Sequence, residues 1–140
     1  MVSKNTKTHL VETWLTNLKK NVDNGLWQIH KPLNYDCIGI GKNKCTIGIG
    51  AGPSFNKNKE ILMRNLNRDG VRNWNDRAFI TICANHQYKP LLKMGIIPDF
   101  VMLVDGSDVV YDQLCKDIPV SGQNTVLVTG LHCSAKDLVS

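Results

Sequence analysis

The chain has 140 residues, of which 42% are apolar and 21% are charged, and its net charge is +5 at pH 7. This composition excludes a disordered chain, and no apolar run approaches the about 20 residues of a membrane-spanning helix. Since no secretory signal is visible either, we expect one cytoplasmic globular domain without a membrane partner. Residues 1–36 should form an N-terminal helix and connecting loop packed on the core, and residues 37–140 the main domain.

Positive charge is concentrated in the first two thirds of the chain. Residues 1–93 contain 15 Lys and Arg against 6 Asp and Glu, whereas residues 94–140 contain 2 against 6. One interpretation is a solvated basic face; the other is that phosphate meets the basic part and ribose or a metal ion the acidic part. No basic–aromatic interleaving is present, so no nucleic-acid partner is expected. The five scattered cysteines are typical of reduced thiols.

Helices and strands alternate in the predicted order of elements. A helix at 8–21 comes first, and its inward face should carry Leu10, Val11, Trp14, Leu15 and Leu18. Strands follow at 45–50, 78–84, 100–104 and 125–129, with helices at 56–67, 88–94 and 109–116 between them and another helix beginning at Ser134. Ile61, Leu62, Met63 and Leu66 should face inward. Pro90 should lie in a first helical turn, and Gly95 should end that helix.

Continuous apolar strands separated by helices predict a mainly parallel sheet of at least four strands in a Rossmann-like three-layer α/β sandwich. Right-handed crossovers bring the carboxyl ends of the strands to one edge, where such folds bind ligands. Small and polar residues follow all four strands, at 50–54, 85–87, 105–108 and 130–134. The sequence therefore predicts a polar crevice at this edge.

The segment Gly-Ala-Gly-Pro-Ser at 50–54 is the first candidate site. Ser54 or Asn56 should cap the following helix, whose N–H groups and dipole favour an anion. The spacing is neither the dinucleotide fingerprint nor a Walker loop. One reading is a turn that simply needs glycine; the other is a phosphate site formed by Gly50, Ala51, Gly52, Pro53 and Ser54.

Two side chains at the other strand ends are candidate catalytic residues. Asp105 could hold Mg²⁺ or accept bonds from ribose, or it could cap the next turn. His132 could act as an acid, a base or a phosphate contact, or it could be polar surface. The remaining candidate nucleotide contacts are Asn85, Gly106, Ser107 and Gly130, although Asn85 could equally be a turn residue.

Three sequence motifs resemble the family of 6-hydroxymethylpterin diphosphokinase MptE-like proteins, which is shared with domains of motility accessory factors. They are Ile-Gly-Ile-Gly-Ala-Gly-Pro-Ser at 47–54, Tyr-Lys-Pro-Leu-Leu-Lys-Met-Gly-Ile-Ile-Pro-Asp-Phe at 88–100, and Val-Asp at 104–105. The resemblance covers about residues 45–110. Phe55 departs from the leucine common in the family, and the chain should stop inside a β-α unit although the family domain continues.

The resemblance implies a nucleotide-binding transferase whose family reaction moves diphosphate from ATP, with Mg²⁺, to a hydroxymethylpterin-like acceptor. Gly50, Gly52, Pro53 and Ser54 would form its phosphate turn, and Asp105 its carboxylate at a strand end. An alternative is a glycosyltransferase module that transfers a nonulosonic or sialic acid from a CMP-sugar to a glycan acceptor. A third is a non-catalytic interaction domain, and an exposed sheet edge would allow a homo-oligomer.

Overall fold

Four helices and four strands alternate along the described part of the chain. The computed structural model describes residues 4–25, 39, 41–66, 79–118, 125–130, 132 and 133. The connecting loop predicted up to residue 36 and the helix predicted from Ser134 lie outside these residues. The elements in chain order are α1 (Lys4–Asp23), β1 (Cys45–Ile49), α2 (Ser54–Leu66), β2 (Phe79–Ala84), α3 (Asn85–Lys93), β3 (Phe100–Leu103), α4 (Asp108–Cys115) and β4 (Val126–Thr129).

The four strands form one parallel sheet in the order β1-β2-β3-β4. This confirms the predicted α/β fold of the Rossmann-like sandwich type. Because every strand runs the same way, the carboxyl ends of all four lie along one side of the sheet, called the carboxyl edge below. Neighbouring strands are about 4.8 Å apart, so the ends of β1 and β3 are separated by roughly 10 Å. None of the described helices has the length and apolar character needed to cross a bilayer.

The main core lies between one face of the sheet and the helices that follow the strands. The register pairs Ile49 with Cys83 and Cys83 with Val101, so these side chains share that face. Helices α3 and α4 cover it with Tyr88, Leu91, Leu92, Tyr111 and Leu114. Each large apolar side chain buried in this way contributes about 1.5–3 kcal/mol, which makes this layer the chief source of stability.

Helix α2 covers the core less completely than its sequence pattern predicts. Leu62 packs against the core cluster, but Ile61 and Met63, which were expected to face inward, are exposed. The side chain of Leu66 is outside the described part. A single helix has only one stripe directed at the sheet, and Leu62 together with Phe55 occupies it.

Helix α3 ends where the sequence predicts, at Gly95. The backbone of Gly95 has φ +75°, its N–H donates to the Leu92 carbonyl at 3.0 Å, and the N–H of Ile96 donates to the Leu91 carbonyl at 2.9 Å. These two bonds define a Schellman motif, in which glycine is favoured because φ is positive. Leu91 and Ile96 are both fully buried and supply the apolar contact of the motif.

The start of α3 differs from the prediction. The helix begins at Asn85, three residues earlier than expected, so Pro90 lies in its second turn and not in its first. Pro90 has no N–H to donate to the carbonyl of His86. Both residues are on the exposed side of the helix, where water can satisfy that carbonyl.

A buried carboxylate joins the amino ends of three strands. Asp99 is fully buried, and its Oδ2 accepts bonds from the N–H of Thr81 at 2.8 Å and from the Thr81 hydroxyl at 3.0 Å. The N–H of Asp99 donates back to Thr81, and its carbonyl accepts from the N–H of Val126 at 2.9 Å. Asp99 therefore fixes β2, β3 and β4 at the edge opposite the carboxyl edge.

Candidate functional site

The glycine turn, defined as residues 50–54, is open to solvent. All five residues are exposed. Among the described residues, a Cβ built on Gly50 would meet no atom within 4 Å, and one on Gly52 would meet only the Ser54 Oγ at 3.8 Å. Neither glycine has a positive φ. Neither the φ angles nor the surroundings of Gly50 and Gly52 within the described residues thus require glycine.

Backbone groups close the first turn of α2. The N–H of Phe55 donates to the Gly52 carbonyl at 3.0 Å, and the N–H of Asn56 donates to the Pro53 carbonyl at 3.3 Å. The predicted side-chain cap from Ser54 or Asn56 is not formed, because Ser54 is itself the first helical residue and Asn56 already lies within the helix. The amino end of α2 therefore presents main-chain N–H groups that no described side chain caps.

Three amides of the glycine turn are available to a ligand. Within the described residues, no acceptor takes the N–H of Ala51, Gly52 or Ser54. The first turn of α2 has no acidic residue, and Lys57 and Lys59 follow closely. The amino end of a helix carries a partial positive charge, so nearby lysines destabilise this end of α2. An anion bound beside it would be attracted both by the lysines and by the helix end.

A small cavity lies beside the end of β2. Asn85 is the first residue of α3, which also lacks an acidic first turn and a side-chain cap. The cavity is open on one side and has a volume of about 170 Å³; its lining is Asn85, His86, Lys89, Val110, Gln113 and Leu114. Cavities that enclose drug-sized ligands measure about 300–1,000 Å³. This one is large enough for a phosphate group or a ring, but not for a whole nucleotide.

The end of β3 has the opposite charge. Asp105 is half-buried, and its Oδ1 accepts a bond from the N–H of Ser107 at 2.9 Å, so the carboxylate closes its own turn. Asp108 and Asp112 follow on α4. Positive charge accompanies the ends of β1 and β2, and negative charge accompanies the end of β3. The uneven charge of the sequence thus becomes a gradient along the carboxyl edge.

Helix α1 crosses the ends of β3 and β4. The Nδ2 of Asn17 donates to the Gly106 carbonyl at 2.6 Å and to the His132 carbonyl at 3.2 Å, and the Nδ2 of Asn21 donates to the Cys133 carbonyl at 2.9 Å. Sequence reasoning missed these contacts, since asparagines on a helix give no signal of docking. Val11, Leu15 and Leu18, expected to face inward, are exposed instead.

Trp14 and His132 complete the docking of α1. Their ring centroids are 5.0 Å apart, and the Nε2 of His132 lies 3.0 Å from the Val104 carbonyl, to which the ring N–H donates. A Cβ on Gly130 would stand 2.5 Å from the His132 ring, so only glycine leaves room for it. His132, Gly130 and Gly106 thus contact α1 or one another, and their roles toward a nucleotide remain predictions.

A nucleophile at Cys83 and a metal centre built from protein side chains have little support in the described residues. Burial raises the pKa of the Cys83 thiol to about 12, so this cysteine is a neutral core residue and not a nucleophile. No three His, Cys, Asp or Glu side chains come together there as a metal centre.

The docking of α1 predicts the effect of a single methyl group. We expect Gly106→Ala to lower the free energy of unfolding by about 1–3 kcal/mol through overpacking. The new Cβ would lie 2.5 Å from the Trp14 ring and 2.6 Å from the His132 carbonyl oxygen. Urea denaturation measures the effect, and Gly48→Ala, whose Cβ would meet no described atom within 4 Å, is the control. Equal stability of both variants and the wild type would contradict this docking.

The described residues form a parallel α/β domain with an open strand-to-helix turn at its carboxyl edge, a class of fold that binds ligands there. A sequence model of the family described as 6-hydroxymethylpterin diphosphokinase MptE-like matches residues 12–140. The chain belongs to this family. The match extends beyond residues 45–110 to most of α1 and to β4. Comparisons with curated proteins and with solved structures gave no match.

Proposed function

We propose that this chain is a nucleotide-binding transferase domain whose glycine turn binds the phosphates of its donor. The observation that carries the proposal is that Gly50 and Gly52 are exposed, have no positive φ and, within the described part of the chain, leave open space where a side chain would be. A ligand whose phosphate oxygens approach the main chain explains glycine at both positions. The family reaction supplies the donor, ATP, and the reaction, diphosphate transfer to a hydroxymethylpterin-like acceptor.

The phosphate assignment is supported by the charge distribution at the ends of β1 and β2. The amides of Ala51, Gly52 and Ser54 would donate to phosphate oxygens, and Lys57 and Lys59 would supply positive charge. Asn85 stands at the neighbouring strand end, roughly 5 Å further along the sheet. The cavity next to it is large enough for one further part of the donor or for a ring of the acceptor.

Asp105 fits the role of metal or ribose contact. Its carboxylate is half-buried, is held in place by the Ser107 N–H, and lies on the acidic side of the edge. When Mg²⁺ is bound there, it would neutralise charge on the phosphates. The end of β3 lies roughly 10 Å from that of β1, a span that a ribose and a phosphate chain together can bridge.

In diphosphate transfer, the acceptor hydroxyl attacks the β-phosphorus of ATP, and the bond between that phosphorus and the oxygen bridging to the α-phosphate breaks. The acceptor loses its proton, and AMP leaves with the bridging oxygen. The protein contributes mainly by orienting the two reactants and stabilising charge on the transferred group. Main-chain amides and lysines are suited to this work, and no covalent intermediate is required.

Thermal unfolding with a panel of nucleotides tests the proposal. We expect ATP with Mg²⁺ to stabilise the protein by roughly 2.7 kcal/mol at about 100 times its Kd. Preferential stabilisation by CMP or a CMP-sugar would instead favour the glycosyltransferase alternative. If ATP, GTP, CTP, CMP and CMP-sugars all leave the melting curve unchanged with and without Mg²⁺, the proposal is wrong and the interaction-domain alternative gains support.

A further inference from the structure

Helix α1 has an apolar stripe that the described part of its own domain does not cover. The stripe consists of Val11, Leu15, Leu18 and Val22, all of which are exposed. Their spacings of four, three and four residues place them along one line of the helix, as in the seam of a coiled coil. The stripe runs over about three turns, or roughly 16 Å.

The stripe is separate from the surface that docks α1 on the sheet. Docking uses Trp14, Asn17 and Asn21, and each of these precedes a stripe residue by one position. Successive residues of an α-helix are rotated by about 100°. One helix can therefore hold the domain with one side and present the stripe to a partner with another.

We propose that α1 pairs with α1 of a second copy of this chain in an antiparallel two-fold arrangement. Such symmetry is isologous, so the surface must complement itself. With the helices antiparallel and centred between Leu15 and Leu18, Val11 lies opposite the partner's Val22, and Leu15 lies opposite the partner's Leu18. All four apolar positions then find an apolar counterpart.

The flanking charges favour this arrangement. Glu12 and Lys19 lie on the same border of the stripe, and the antiparallel register brings Glu12 of each copy beside Lys19 of the other. Lys19 also forms an ion pair with Asp23 at 2.7 Å, but both side chains are largely exposed and the pair leaves room for a second carboxylate. Four apolar layers bury less area than a permanent dimer needs, so the dimer should be weak and concentration-dependent.

Sedimentation of the full chain from low-micromolar to near-millimolar concentration tests the proposal. We expect the average mass to rise from 15.7 kDa toward twice that value. Leu15→Glu should keep the protein monomeric throughout this range. Ile61→Glu is the matched control, because Ile61 is 61% exposed on α2 and Leu15 is 60% exposed on α1; this variant should associate like the wild type. Far-UV circular dichroism checks that both variants remain folded.

A charge exchange tests the register. Glu12→Lys should weaken the dimer about tenfold by placing like charges together at two symmetric positions. Adding Lys19→Glu to it should restore association. A wild type that is monomeric at every concentration, a dimer indifferent to Leu15→Glu, or a double variant that stays weak would each overturn the proposal. A monomer that binds vesicles of phosphatidylcholine and phosphatidylglycerol through the stripe would overturn it in favour of a lipid surface.

Discussion

Gly52→Val is expected to abolish the nucleotide-dependent rise in thermal stability while leaving the fold intact. Among the described residues, the only atom near a Cβ at this position is the Ser54 Oγ at 3.8 Å, and Gly52 has no positive φ, so valine can be accommodated. A branched side chain there would stand where phosphate oxygens must approach the main chain. At about 100 times the Kd of the ligand, the loss amounts to roughly 2.7 kcal/mol of stabilisation.

The measurement is a melting curve of each protein with and without the nucleotide that stabilises the wild type. Gly48→Val is the matched control, because no described atom lies within 4 Å of a Cβ at this position, and Gly48 lies within β1 and not in the turn. This control should keep the full ligand response. A Gly52→Val protein that responds like the wild type would show that the ligand binds away from the glycine turn.

Asp99→Ala is expected to lower the free energy of unfolding by roughly 2–6 kcal/mol, because it leaves two buried donors without their acceptor, at about 1–3 kcal/mol for each. The N–H and the hydroxyl of Thr81 would lose their bonds to Oδ2 in a fully buried setting. Asp99→Asn keeps one carbonyl acceptor of the same shape and should therefore cost less than the alanine variant.

Guanidinium denaturation of these variants measures the contribution of the buried carboxylate. Glu60→Ala is the control, since Glu60 is exposed on α2 and surface substitutions usually change stability by less than about 0.5 kcal/mol. Should Asp99→Ala unfold within about 1 kcal/mol of the wild type, the bonds to Thr81 are not what joins the amino ends of the strands.

The two longer motifs that carry the family resemblance have different structural roles. The motif at 88–100 contains the Schellman turn at Gly95 and the buried Asp99, and both hold elements of the core together. The motif at 47–54 ends in a turn that nothing in the described chain covers. The first motif is explained by stability. The second is not explained by contacts within the described residues, and the proposed function depends on it.

Sequence reasoning located the strands well because each is a short apolar run followed by small or polar residues. The predicted and observed bounds of β1 to β4 differ by at most one residue at either end. Helix starts were less predictable: α3 begins three residues early, since a proline in the second turn is tolerated on the exposed side. The role of Asp99 could not be predicted from the sequence, because an aspartate after proline is typical of an ordinary turn residue and its burial is a tertiary property.

The amino-acid sequence by itself determined the parallel α/β architecture, the glycine turn at the first strand end and the separation of positive from negative charge. Apolar runs, helix stops and charges are local properties, and each can be read within a few residues. Only the tertiary structure decided which side of α1 is covered. That choice depends on bonds from Asn17 to Gly106 and His132, which lie 89 and 115 residues away in the chain. Periodicity shows that a helix is amphipathic, but the position of its partners in space selects the stripe that is buried.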